Sequence, residues 1–137
     1  MTIQDTPRAP PKYWVGVALA SAFVLFGLLA TLGIYMRGDE QNTALLGTAP
    51  DSIFWLFLAI AILGEVVGVL GLLARRTWAT LGFGLSVIFT VLFYAYVLTK
   101  SGWTSSLIGP IVITLLHVAL LWFAFASGSR GWTRRGV

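Results

Sequence analysis

The chain has 137 residues, 58% of them hydrophobic and only 10% charged, with a mean hydropathy of +0.88. That little charge cannot cover the surface of a soluble domain of this length, so the composition implies one membrane-embedded domain. The net charge of +4 sits at the ends of apolar runs, which excludes nucleic acid as the expected partner and makes the lipid bilayer the expected one. No cysteine is present, which excludes disulfides, thiolate metal sites and dithiol redox chemistry. A single histidine excludes a bis-histidine haem held by one chain.

Residues 1–12 carry Pro7, Pro10 and Pro11 and are expected to form an irregular arm. The first apolar run, residues 13–35, is too long for a secretory signal and no small-residue cleavage site follows it, so it reads as a retained span. In the loop that follows, residues 42–46 suit one turn of interfacial helix before Gly47, and Pro50-Asp51-Ser52 suits a helix start. The second run covers residues 52–74, the third 78–98 and the fourth 107–126. Each has about 20 residues, enough to cross about 30 Å of hydrocarbon as a helix, and lipid leaves helices as the economical solution for such runs. Residues 127–137 read as a flexible basic cytoplasmic tail.

Seven basic residues fall on one side of these spans: Arg8, Lys12, Arg75, Arg76, Arg130, Arg134 and Arg135. Two, Arg37 and Lys100, fall on the other, together with Asp39, Glu40 and Asp51. This bias predicts that both termini are cytoplasmic and argues against dual topology. Arg75, Arg76, Arg130, Arg134 and Arg135 are accordingly topology determinants that also suit anionic headgroups. The short connections after the second and third runs predict an all-α, antiparallel, up-down bundle of four transmembrane helices over residues 13–126. Tyr13, Trp14, Trp55, Trp78, Tyr96, Trp103 and Trp132 fall near the expected interfaces.

Glu65 is the one acid inside any of the four runs, and a carboxyl at that depth costs about 2.5–3.5 kcal/mol, which makes it a site candidate by default. Ala61, Gly64, Gly68 and Gly71 place small residues along its helix face, so this face is expected to pack against other helices. Glu65 precedes Arg75 by ten residues and His117 precedes Ser127 by ten, which sets both roughly 15 Å from the same boundary. Gly82, Ser86, Thr90 and Tyr94 recur every fourth residue in the third run, and Thr114 shares the His117 face. The expected intramembrane polar cluster is therefore Glu65, His117, Ser86, Thr90 and Thr114. No phosphate loop, nucleophile set, paired carboxylates or metal-ligand spacing occurs, so neither an enzyme nor a cofactor or metal is expected.

Tyr13-Trp14 at the start of the first span, Gly64-Glu65-Val66-Val67-Gly68 in the second and the run Leu72-Leu73-Ala74-Arg75-Arg76-Thr77-Trp78-Ala79 after it carry a resemblance. The chain resembles small four-helix inner-membrane proteins of Gram-negative bacteria that have no established activity and are loosely labelled sugar transporters. The resemblance implies a multi-pass protein of the bacterial inner membrane. It also implies glycine at the position of Glu65 in many members, so that the acid belongs to this chain or a subgroup. The leading expectation is a non-enzymatic structural or accessory subunit of a homo-oligomer or larger membrane complex, and the alternative is a small proton-coupled transporter using Glu65 and His117.

Overall fold

Each helix begins and ends where the local chemistry dictates. In the computed structural model, which describes residues 8–102 and 106–134, α1 spans Pro11–Met36, and Pro11 opens it because a first-turn residue needs no N–H donor. α2 spans Asp39–Leu46, with Asp39 and Glu40 in its positively polarised first turn and Gly47 capping it at φ 75°. It is two turns long, where a single turn over residues 42–46 is the sequence expectation. Asn42 explains the extension: its buried amide donates to the Ile34 and Arg37 carbonyls at 2.9 and 3.3 Å, satisfying the frayed end of α1. α3 spans Ser52–Leu73 and is capped by Asp51, whose carboxylate accepts from the Phe54 N–H at 2.9 Å. α4 spans Ala79–Lys100 and α5 spans Ile108–Ser129. Pro110 is tolerated because it lies in the first turn of α5.

Four of these helices, all but α2, are long and apolar enough to cross a membrane, and the described residues contain no strand. Leu19, Leu25, Leu29, Leu81, Ile108, Leu115 and Trp122 are among the large apolar side chains they leave exposed. α3 packs most extensively on α4, α4 on α5, and α1 on α3, while α1 and α5 touch only locally.

The α3–α4 seam follows from the small-residue stripe. A Cβ on Gly64 would lie 2.7 Å from the Gly82 carbonyl, one on Gly82 would lie 2.5 Å from the Gly68 backbone nitrogen, and one on Gly71 would meet Ala79 at 2.8 Å. Only glycine permits backbones this close. The contacts step backward along α3 as they step forward along α4.

The turn between these helices joins the end of α5. Arg75 adopts φ 54°, and the N–H groups of Arg75 and Arg76 return to the Leu72 and Gly71 carbonyls at 2.9 and 2.7 Å. This is a Schellman termination with arginine where glycine is usual, at a backbone cost of about 1 kcal/mol. α5 ends the same way on Gly131, with Gly131 and Trp132 returning to Gly128 and Ser127. The two ends are tied together: Arg134 N–H donates to the Arg75 carbonyl at 2.6 Å, Thr77 N–H to the Arg134 carbonyl at 3.0 Å, and Arg75 Nε to the Trp132 carbonyl at 2.9 Å. Two sequence expectations are corrected here. The last helix runs three residues past 126, and residues 130–134 fold back onto the α3–α4 turn instead of trailing as a free tail. The cause is the second Schellman turn, which redirects the chain toward Trp132. Lesser shifts also occur: Pro11 and Lys12 belong to α1, and α4 continues to Lys100. Arg135 and Trp103, assigned to the headgroup and interface regions from sequence, lie outside the described residues.

Two apolar clusters result. One gathers Tyr13, Val17, Ala20, Val24, Val69, Leu72, Ala79, Phe83 and Ala124 near the Arg75 turn. The other gathers Phe54, Phe93 and Val97 toward Asp51. A polar layer separates them.

Candidate functional site

That layer is built on Glu65 of α3 and His117 of α5. Glu65 Oε1 and His117 Nε2 are 2.6 Å apart, and both side chains are only 5% exposed. The other imidazole nitrogen, Nδ1, lies 2.7 Å from the Ile113 carbonyl one turn earlier in α5. A carbonyl can only accept, so Nδ1 carries a proton and donates it. The 2.6 Å contact then holds one further proton between Nε2 and Oε1, as imidazolium–carboxylate or as imidazole–carboxylic acid. The pair is net neutral in either form, which is how a buried acid and base avoid an uncompensated charge. Phe23 of α1 meets the imidazole edge-on, with centroids 5.0 Å apart.

The second carboxyl oxygen is different. Glu65 Oε2 is buried and has no hydrogen-bond partner among the described residues. It points toward α1, where a Cβ added to Gly27 would lie 3.3 Å from it. Glu65, Gly27 and His117 line one cavity of about 140 Å³, together with Phe23, Phe26, Thr31, Ala61, Thr90, Phe93 and Tyr94. Its walls are apolar and aromatic apart from the pair, the Thr31 and Thr90 hydroxyls and the Tyr94 phenol. Thr31 spends its proton on the Gly27 carbonyl at 2.8 Å. Phe26, which is 68% exposed, stands at the rim.

The structure divides the expected cluster. Glu65, His117 and Thr90 share the cavity. Ser86 does not reach it: its backbone abuts Gly64 in the α3–α4 seam, and its buried hydroxyl is unpartnered there. Thr114 is half-buried and outside the lining. Ala61 lines the cavity, whereas Gly64, Gly68 and Gly71 are consumed by α4. Arg75, Arg76, Arg130 and Arg134 gather at the Tyr13 end, where Arg130 and Lys12 lie 5.0 and 5.1 Å from the Trp132 ring centre. Sequence reasoning missed the whole contribution of α1. A signal existed in Gly16, Ala20, Gly27 and Thr31, small residues spaced so that they return to one helix face.

Beyond the cavity, Asp51 closes the opposite end. Its carboxylate accepts from the Tyr96 hydroxyl and the Phe54 N–H, and Lys100 Nζ lies 3.9 Å away. The Tyr96 hydrogen bond foremost, then the Phe54 N–H, holds the Asp51 carboxyl below the ordinary carboxylate range. Among the described residues no group of three or more His, Cys, Asp or Glu side chains converges on a common point. No family profile, curated protein or solved structure matches the chain.

Proposed function

We propose that this chain is a multi-pass protein of the bacterial inner membrane, an antiparallel up-down bundle with both termini cytoplasmic. We infer further that it is a small non-enzymatic carrier in which the Glu65–His117 pair exchanges a proton with a ligand in the adjoining cavity. One observation supports this above the others: Glu65 lines the cavity, and its Oε2 is buried beside Gly27 with no partner among the described residues. Unlike the buried Ser86 hydroxyl, which is also unpartnered but closed into the α3–α4 seam, this oxygen belongs to a side chain that lines the cavity, where a ligand could pair with it. The lysine and arginine bias supports the orientation, and the reversed order of contacts across the α3–α4 seam supports antiparallel packing.

The accessory-subunit reading rests on a different observation. The cavity stops at the pair, because the Tyr13–Leu72–Phe83 cluster fills the bundle between it and the Arg75 turn. A polar contact without a path through the bundle would suit a protein that only assembles with others. Proton flux in proteoliposomes separates the two. Wild type should acidify or alkalise the lumen under an imposed pH gradient, and Glu65→Gln should abolish this while keeping its thermal transition. Flux indistinguishable from protein-free liposomes would reject the carrier and leave the accessory role.

A further inference from the structure

We propose that the cavity is a binding site for a small apolar amine, entering from the lipid side and bound as its ammonium ion at Glu65 Oε2 in exchange for the proton of the pair. The proposal rests on the carrier reading only for the use made of binding. Binding itself stands on the geometry.

The size comes first. A cavity of about 140 Å³ is close to the roughly 150 Å³ void that accepts a benzene ring, so the ligand is a compact molecule of that order. Phe23, Phe26, Phe93 and Tyr94 make the walls apolar and aromatic, which favours a hydrocarbon body and also tolerates a cation over a ring face. The exposed Phe26 rim lies on a candidate span, so the entrance faces hydrocarbon and selects a ligand that partitions there.

The chemistry of the polar end follows from Oε2. Whether the shared proton sits nearer Nε2 or Oε1, Oε2 is only an acceptor. It has no donor among the described residues, so a ligand bound there supplies one. An alcohol could do so. An ammonium does more, because a charge-assisted bond to a carboxylate is about twice as strong as a neutral one. A second cation beside an imidazolium–carboxylate pair would leave the site with net positive charge in low dielectric. The pair relieves this by losing its one mobile proton, leaving neutral imidazole, carboxylate and ammonium. The balance is simple: ammonium plus protonated pair gives ammonium bound to the deprotonated pair plus one released proton. A neutral amine arriving from lipid reaches the same state by accepting that proton itself. The titratable groups facing the site are Glu65 from α3, His117 from α5 and the Tyr94 phenol from α4, while α1 contributes none among its lining residues.

The test uses the full chain in detergent or nanodiscs, with benzylamine as the probe and benzyl alcohol and phenylacetate as its neutral and anionic counterparts. Calorimetric titration in two buffers of different ionisation enthalpy should show about one proton released per benzylamine bound, with affinity rising about tenfold per pH unit while the pair holds its proton. Benzyl alcohol should bind at least about tenfold more weakly, and phenylacetate should not bind. Gly27→Leu, whose side chain would occupy the space beside Oε2, should abolish binding in a protein that still unfolds cooperatively, and Glu65→Gln should abolish the proton release. Equal affinity for the amine and the alcohol, or amine binding with no proton released, overturns the inference and leaves an apolar cavity. Glu65-dependent proton flux without amine binding rejects this ligand class and keeps the carrier. Amine binding with proton release but no flux keeps the site and rejects the carrier.

Discussion

Near the Arg75 turn, side chains from α1, α3, α4 and α5 close into one apolar cluster. Tyr13 lies at its centre with its hydroxyl donating to the Leu72 carbonyl at 2.6 Å, and the two Schellman turns are bound to each other outside it. Toward Asp51 the same helices enclose a smaller cluster and a cavity. The contrast is physical in origin. Near the turn, glycines at positions 16, 68, 71 and 82 admit a neighbouring ring or backbone directly, and Gly64 does so beside the pair on the α4 side. Gly27 is the lining glycine on α1, and what approaches it is the Glu65 carboxyl oxygen. A small residue closes a bundle when its neighbour fills the space, and leaves a cavity when, as at Gly27, the one neighbour within reach is a single carboxyl oxygen.

One substitution made in both halves gives the largest expected difference. Gly82→Ala drives a Cβ into the Gly68 backbone at 2.5 Å, where no rotamer can yield, and should cost about 1–3 kcal/mol. Gly27→Ala meets only Oε2 at 3.3 Å and should change stability by less than about 1 kcal/mol, helped by the better helix propensity of alanine. Thermal unfolding in one detergent compares them, and equal losses would erase the distinction between a closed half and an open one. A hydroxyl deletion sharpens it. Tyr13→Phe removes the phenol's hydrogen bond to the Leu72 carbonyl, which keeps the Arg75 N–H as a donor, and should cost about 0.5–1.5 kcal/mol. Thr31→Val in the cavity wall removes a hydroxyl that serves only its own helix at Gly27, so it should be close to neutral.

The smallest effect concerns pH. Because Asp51 is held below its ordinary value of 3.8, its contribution is present above that value and is lost as pH falls through the lower, folded one. Stability of the wild type should therefore decline more steeply below about pH 4 than that of Asp51→Asn, read as the difference in melting temperature between them. Parallel curves would mean that the Tyr96–Asp51–Lys100 contact does not hold the open half together. Its solvent exposure keeps the expected difference modest.

The four apolar helices were legible because hydropathy and length are local properties, readable one run at a time. Glu65 and His117 could be set at one depth because rise per residue is fixed and both count ten residues from a polar boundary. Depth says nothing about rotation around a helix axis relative to its neighbours. That rotation sent Ser86 into the glycine seam and left Thr114 outside the lining, although both share the level of the pair. The fold-back of residues 130–134 was equally hidden, since it depends on an arginine in a left-handed turn and on carbonyls supplied by residues nearly sixty positions away. By itself the sequence determined which segments are apolar, how deep the acid and the histidine lie, and where charge accumulates. Only the tertiary structure decided that α1 completes a cavity lined by Glu65 and His117, because that arrangement is set by packing between helices and not by any one of them.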